Sequence, residues 1–235
     1  MCLLLPLGRL DASIVKSLLC LGGYIEKTYP EVFAVINGRR KNQKSLFRNI
    51  DMSEAKGEEP DIHAVLGIKI TINNFNLDTI LDNPYNSSVY ASAMKYKTLQ
   101  DTLQSFTKRY QVILSQKRSD LPQDETARQL HELAHDTYHF IVQAIKQQKD
   151  QVCYDIGKHF LDDITSNQEL LNQLGLTEPV RKRGFKSKNY IAEHATFKTD
   201  YLPDTYLELQ TLSKENERDS RNGASAHYLM PTKKI

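Results

Sequence analysis

The chain has no tryptophan, and its three cysteines are scattered as Cys2, Cys20 and Cys153. An odd number without a Cys-x-x-Cys pair argues against a disulfide scaffold and a cysteine-built zinc site, and it fits a reducing compartment. Glycine is scarce, ten residues in 235, and none belongs to a phosphate-cradling loop or a Gly-x-Ser-x-Gly nucleophile elbow. No apolar run approaches the length of a transmembrane helix. The segment Met1–Leu7 is apolar but short, lacks a cationic start and is cut off by Arg9 and Asp11. No cleaved secretion signal is therefore expected, and the protein is expected to be soluble. An excess of one charge is missing too: 31 basic against 29 acidic residues leave a net +2. That balance argues neither for nor against a polyanionic partner. There is no internal repeat.

What the sequence does have is helical periodicity from Ser88 to Ile164, read as two helices folded back on each other. In the first, Val89, Tyr96, Leu99, Leu103, Phe106, Tyr110 and Ile113 recur at seam positions, which suits one buried stripe. Asn83 to Ser88 offers turn chemistry and a serine N-cap. Ser119-Asp120-Leu121-Pro122 is the break, with proline tolerated in the first turn of the next helix. So short a connection implies antiparallel neighbours. In the second helix, Leu130, Leu133, Ala134, Thr137, Phe140, Ile141, Ala144 and Ile145 share a face. Val152, Ile156, Phe160 and Ile164 extend it. Gly157 is a point of fracture or bending, and one helix or two are both open readings.

The second helix opens with His131-Glu132-x-x-His135. Imidazoles at i and i+4 are close enough to share one ion. His139 lies about 12 Å from His131 along the axis, which excludes it as a third ligand. The motif resembles that of the zincin metallopeptidases. By that resemblance His131 and His135 are zinc ligands, and Glu132 is the general base that polarises water. With the apolar stripe centred on Leu130, both imidazoles are expected to leave the helix flank toward water. The segment Tyr154-Asp155-Ile156-Gly157-Lys158 resembles the His-Asp-Ile-Gly-Lys core of HD-type phosphohydrolases, with Tyr154 standing where that family has a metal-binding histidine. Glu132-x-x-His135 is also half of a di-iron carboxylate spacing, but the chain has no second Glu-x-x-His.

Elsewhere Ala12–Leu21 reads as a short helix stopped by Gly22-Gly23. Residues 31–36 read as a strand closed by Asn37-Gly38, and Ala64–Ile72 as the best strand, able to pair with it. Asn76–Leu81 supplies a helical turn or two. Ser166-Asn167-Gln168-Glu169 opens a short helix that Gly175 stops. Arg181, Lys182, Arg183, Lys186 and Lys188 make a basic connector. Such a run suits nucleic acid, an acidic protein or membrane surface, or nuclear import. Tyr201–Leu212 suggests a last helix or docking segment, and Ser213–Ala226 suggests disorder.

The expected fold is mainly α: an antiparallel helical hairpin or bundle with a small β element near the N-terminal third. Its expected parts are 1–60 (helix, short strand, mobile loop), 61–176 (strand, then helical core) and 177–235 (basic connector and disordered tail). The expected function is that of a non-enzymatic interaction protein. It would meet a protein partner through the helical surface and an acidic partner through 181–188. Its style is that of a secreted bacterial effector or viral accessory protein, in its own or a host cytoplasm. No cofactor is expected, with zinc the exception if His131-Glu132-x-x-His135 is a peptidase motif. Nucleic-acid binding is the further alternative.

Overall fold

The two most β-branched runs of the sequence become neighbouring strands. In a computed structural model describing residues 2–4, 12–40, 64–115, 124–187, 190–200 and 206–215, β2 (Val32–Arg40) pairs antiparallel with β3 (Ala64–Phe75). The chain passes straight through Asn37-Gly38, because Gly38 is paired with Ile68 rather than turned away. β1 (Cys2–Leu4) runs parallel to β2.

The C-terminal part of the chain then corrects the mainly helical expectation. Leu176–Ser187, Tyr190–Thr199 and Tyr206–Ser213 are strands β4, β5 and β6. Together with the first three they form a six-stranded mixed sheet in the order β1-β2-β3-β6-β5-β4. β6 joins β3 in parallel, and β5 is antiparallel to both β6 and β4. The fold is therefore α+β, not a helical bundle with a small β element. Within Tyr201–Leu212, expected to be a last helix or docking segment, the described part from Tyr206 is one of the two central strands. The basic run from 181 is no connector: its residues to Ser187 lie in β4. Of the residues 213–226 expected to be disordered, Ser213 ends β6, and 216–226 lie outside the described residues.

The described chain divides into two compact units, Met1–Asn76 with Cys153–Ile235, and Leu77–Val152. The first unit holds the sheet. Strand alternation and the register place Ala34, Ile36, Ile68, Ile70, Ile72, Ala195, Phe197, Leu207 and Leu209 on one face, all buried. The end of a long helix, α5 (Glu125–Ser166), packs there through Ile156, Gly157 and Phe160. Gly157 neither breaks nor bends the helix into two elements. Its missing side chain lets the helix approach Thr211 and Ile72.

Helix α1 (Ala12–Thr28) runs past Gly22-Gly23 and ends near Tyr29, whose ring stacks at 4.2 Å on Phe160. Two glycines inside a helix cost about 1 kcal/mol each. Burial of Leu18, Leu21 and Ile25 on the same helix outweighs that cost. Helix α6 (Gln168–Leu174) starts on Asn167, whose side chain accepts from Leu170 N, and stops at left-handed Gly175. Ser17 Oγ donates to the carbonyl of Leu174 and ties α1 to it.

The second unit is helical: α2 (Leu77–Asp82), α3 (Ser87–Arg109), α4 (Gln111–Ser115) and the part of α5 up to Val152. The N-cap of α3 is Asn86, whose Oδ1 accepts from Val89 N at 2.9 Å, rather than a serine. Gln148 Nε2 donates to the carbonyl of Ser92, a buried contact between α5 and α3. A parallel arrangement would separate the end of α3 from the start of α5 by about 60 Å at ~1.5 Å per residue. The connecting segment, which contains α4, is too short for that, so a parallel arrangement of the two helices is excluded.

Candidate functional site

The α5 sequence carries more apolar side chains than one seam can bury. On its Leu77–Val152 side the enclosed positions are His131, Ala134, Ile141, Gln148 and Val152, with Tyr138 and Ile145 half-buried between them. Their spacing alternates between three and four residues, as a helix seam requires. Leu130, Leu133 and Phe140 lie outside it, 47%, 64% and 75% exposed. The seam is thus rotated from the stripe centred on Leu130, and it takes in the histidines that were expected to face water.

The helix start is held by local contacts. Asp124 accepts from Ala127 N at 2.9 Å. Glu125 is bridged by Arg128 and accepts from Gln129 Nε2, and the Arg128 contact first, then the Gln129 hydrogen bond, holds its carboxyl below the ordinary glutamate range. One and two turns later come His131, only 6% exposed, and half-buried His135. Their ring centroids are 4.4 Å apart with planes tilted by 36°. The Nε2 atoms of both are enclosed and make no hydrogen bond among the described residues. Glu132, between them in sequence, is exposed. His139 is exposed too, edge-on to Tyr138 at 5.6 Å. The structure thus brings together the two expected metal ligands and leaves the expected general base in solvent. Among the described residues no group of three His, Cys, Asp or Glu side chains is placed to hold a metal ion.

Of the basic run, Arg181, Lys182, Arg183 and Lys186 occupy β4 opposite Thr196, Ala195, His194 and Ile191 of β5. Lys188 lies outside the described residues. β4 is last in the strand order. Cations on an outermost strand also discourage unwanted strand pairing.

Three polar pairings escaped the sequence reading, all in the unit that holds the sheet. Asp163 of α5 accepts from both Tyr24 and Tyr29 through a single oxygen, Oδ2, the Tyr29 bond being 2.6 Å. Burial and the adjoining carboxylate push both phenol groups above the ordinary tyrosine range. Tyr154 donates to Glu193 Oε1 at 2.5 Å over Gly184, where a side chain would collide with that carboxylate. On the other face of the sheet His194 Nδ1 meets Glu208 Oε1 at 2.8 Å, both residues buried. His194 and Glu208 sit on adjacent strands, β5 and β6, and only the strand register joins them. No local spacing could have announced the pair.

A groove of about 280 Å³ lies between α1, α6 and the end of β5, edged by Lys16, Gln173 and Asp200. That is at the lower limit for a small-molecule site, ~300 Å³. No helix among the described residues is long and apolar enough to cross a membrane. No family model matches the chain, and no curated protein or solved structure matches it either.

Proposed function

We propose that this is a non-enzymatic interaction protein that captures a protein partner on the outer face of α5. The observation that carries the reading is the stripe Leu130, Leu133 and Phe140, which repeats on one side of the helix and stays exposed while a separate seam is buried. Thr137 and Ala144 fall on the same side. Single exposed apolar residues are ordinary, but a contiguous helical row of them is the usual form of a docking face. A photo-crosslinking residue at Thr137 tests it. A discrete partner should be trapped there and lost in a Leu133→Ser, Phe140→Ser double variant. Crosslinks no different from those at exposed Lys146 would count against the proposal.

The basic run Arg181, Lys182, Arg183, Lys186 and Lys188 adds a contact for an acidic partner. Binding through it should weaken steeply with salt, and a nucleic-acid partner would show the same slope with a polynucleotide probe. The three cysteines Cys2, Cys20 and Cys153 are scattered, with no Cys-x-x-Cys pair. That fits work in a reducing cytoplasm, the cell's own or a host's, with nuclear entry open to a chain carrying this basic run. Zinc-dependent hydrolysis is the weaker reading, because Glu132 is exposed and the two imidazoles have no third ligand beside them among the described residues.

A further inference from the structure

We propose that His131 and His135 form a two-imidazole site for one divalent ion of the late first transition row, with copper preferred over zinc. The site is non-catalytic and independent of the docking face. Three observations meet at this point. The residues lie one helical turn apart, so both side chains leave the same side of α5. Their ring centroids are 4.4 Å apart, with the planes tilted by 36°. Both Nε2 atoms are enclosed and lack a hydrogen-bond partner among the described residues, and one of the two histidines is 94% buried.

A buried polar nitrogen without a partner is costly, and two on consecutive turns call for an explanation. Their mutual geometry does not supply one, since no hydrogen bond joins the two rings. A single ion bound by both lone pairs satisfies both at once. Neutral imidazole nitrogen selects copper, nickel or zinc. Calcium and magnesium require oxygen ligands, and no carboxylate among the described residues joins the pair. Two protein ligands fall short of the four of a closed structural zinc site. The shell is completed by water that reaches the pair beside half-buried His135.

The test uses the full chain and the metal alone. In protein labelled with ¹⁵N at histidine, zinc chloride should move the ring-nitrogen resonances of two of the seven histidines together, saturating at one ion per chain. Copper(II) should give an electron paramagnetic resonance signal split by two nitrogens. His139→Ala should change neither result, and His135→Ala should abolish both. Should either histidine variant fail to fold, the wild-type titration still decides. Shifts confined to His135 and His139, shifts spread over other histidines, or no saturable shift would each overturn the proposal.

Discussion

Gly157 lies so close to Thr211 that a methyl group added to it would sit 2.8 Å from the threonine hydroxyl and 2.9 Å from its Cβ. This contact sets the distance between α5 and the sheet at its central strand. An alanine normally gains about 0.5–1 kcal/mol over glycine inside a helix. Here the gain is reversed, because overpacking a filled interior costs about 1–3 kcal/mol. Gly157→Ala should therefore lower stability in denaturant unfolding, by up to about 2 kcal/mol. A more stable variant would mean that the helix stands further off.

The rotated seam of α5 makes a paired prediction from two neighbouring residues. Ile141 is 8% exposed and Phe140 is 75% exposed. Ile141→Ala should cost about 2–4 kcal/mol, as removal of a packed side chain does. Phe140→Ser should change stability by no more than about 0.5 kcal/mol, as a surface substitution does. The phase derived from the apolar count assigns both residues to one buried face and expects comparable losses. Chemical unfolding of the two variants separates these outcomes.

That rotation shows where the sequence was readable and where it was not. The presence of α5 was legible, since apolar spacing persists along the whole helix. So were β3, from the alternation of Ile68, Ile70 and Ile72, and the stop at Gly175. The phase of α5 was not legible. Leu130, Leu133 and Phe140 on the exposed row outweigh the mixed seam of His131, Ala134 and Gln148 in any count of hydrophobicity. β6 was hidden for a related reason. A central strand is enclosed on both faces and loses its alternation. Glu208 and Gln210 are polar residues buried in that strand, and Glu208 meets His194 of the neighbouring one. The candidate site was half legible: the histidine spacing was visible, but its burial depends on the helix phase.

The twofold use of one carboxylate oxygen by Tyr24 and Tyr29 predicts a sensitivity to alkali. Both phenols, like Tyr154, have folded-state pKa values raised above the ordinary ~10, chiefly by burial and then by the carboxylate each one serves. A group raised in this way contributes stability that is intact below the unfolded value. The contribution is lost as pH climbs toward the folded one, because only the unfolded chain releases the proton. Stability should thus hold up to about pH 10 and decline above it. Tyr29→Phe should be less stable at neutral pH, through the lost hydrogen bond to Asp163, yet should decline less steeply in alkali. Parallel curves for wild type and variant would show that Tyr29 titrates alike folded and unfolded.

His159 predicts the opposite edge of the pH profile. Its ring lies edge-on to Tyr29 at 5.9 Å, and burial pushes its pKa below the ordinary histidine value, a shift that Asp163 opposes in part. The folded chain therefore resists protonation at a pH where the unfolded chain accepts it. The stability tied to this neutral ring is complete above about pH 6.5 and is lost as pH falls through the lower folded value. Subtracting the stability curve of His159→Gln from that of wild type isolates the contribution of this ring. The difference should tilt between about pH 6.5 and 5.5 in the sense of wild type losing more on acidification. A flat difference curve over that interval would place the ring in contact with water. The close arrangement of Tyr29, His159 and Asp163 would then have no role in holding the helix in place.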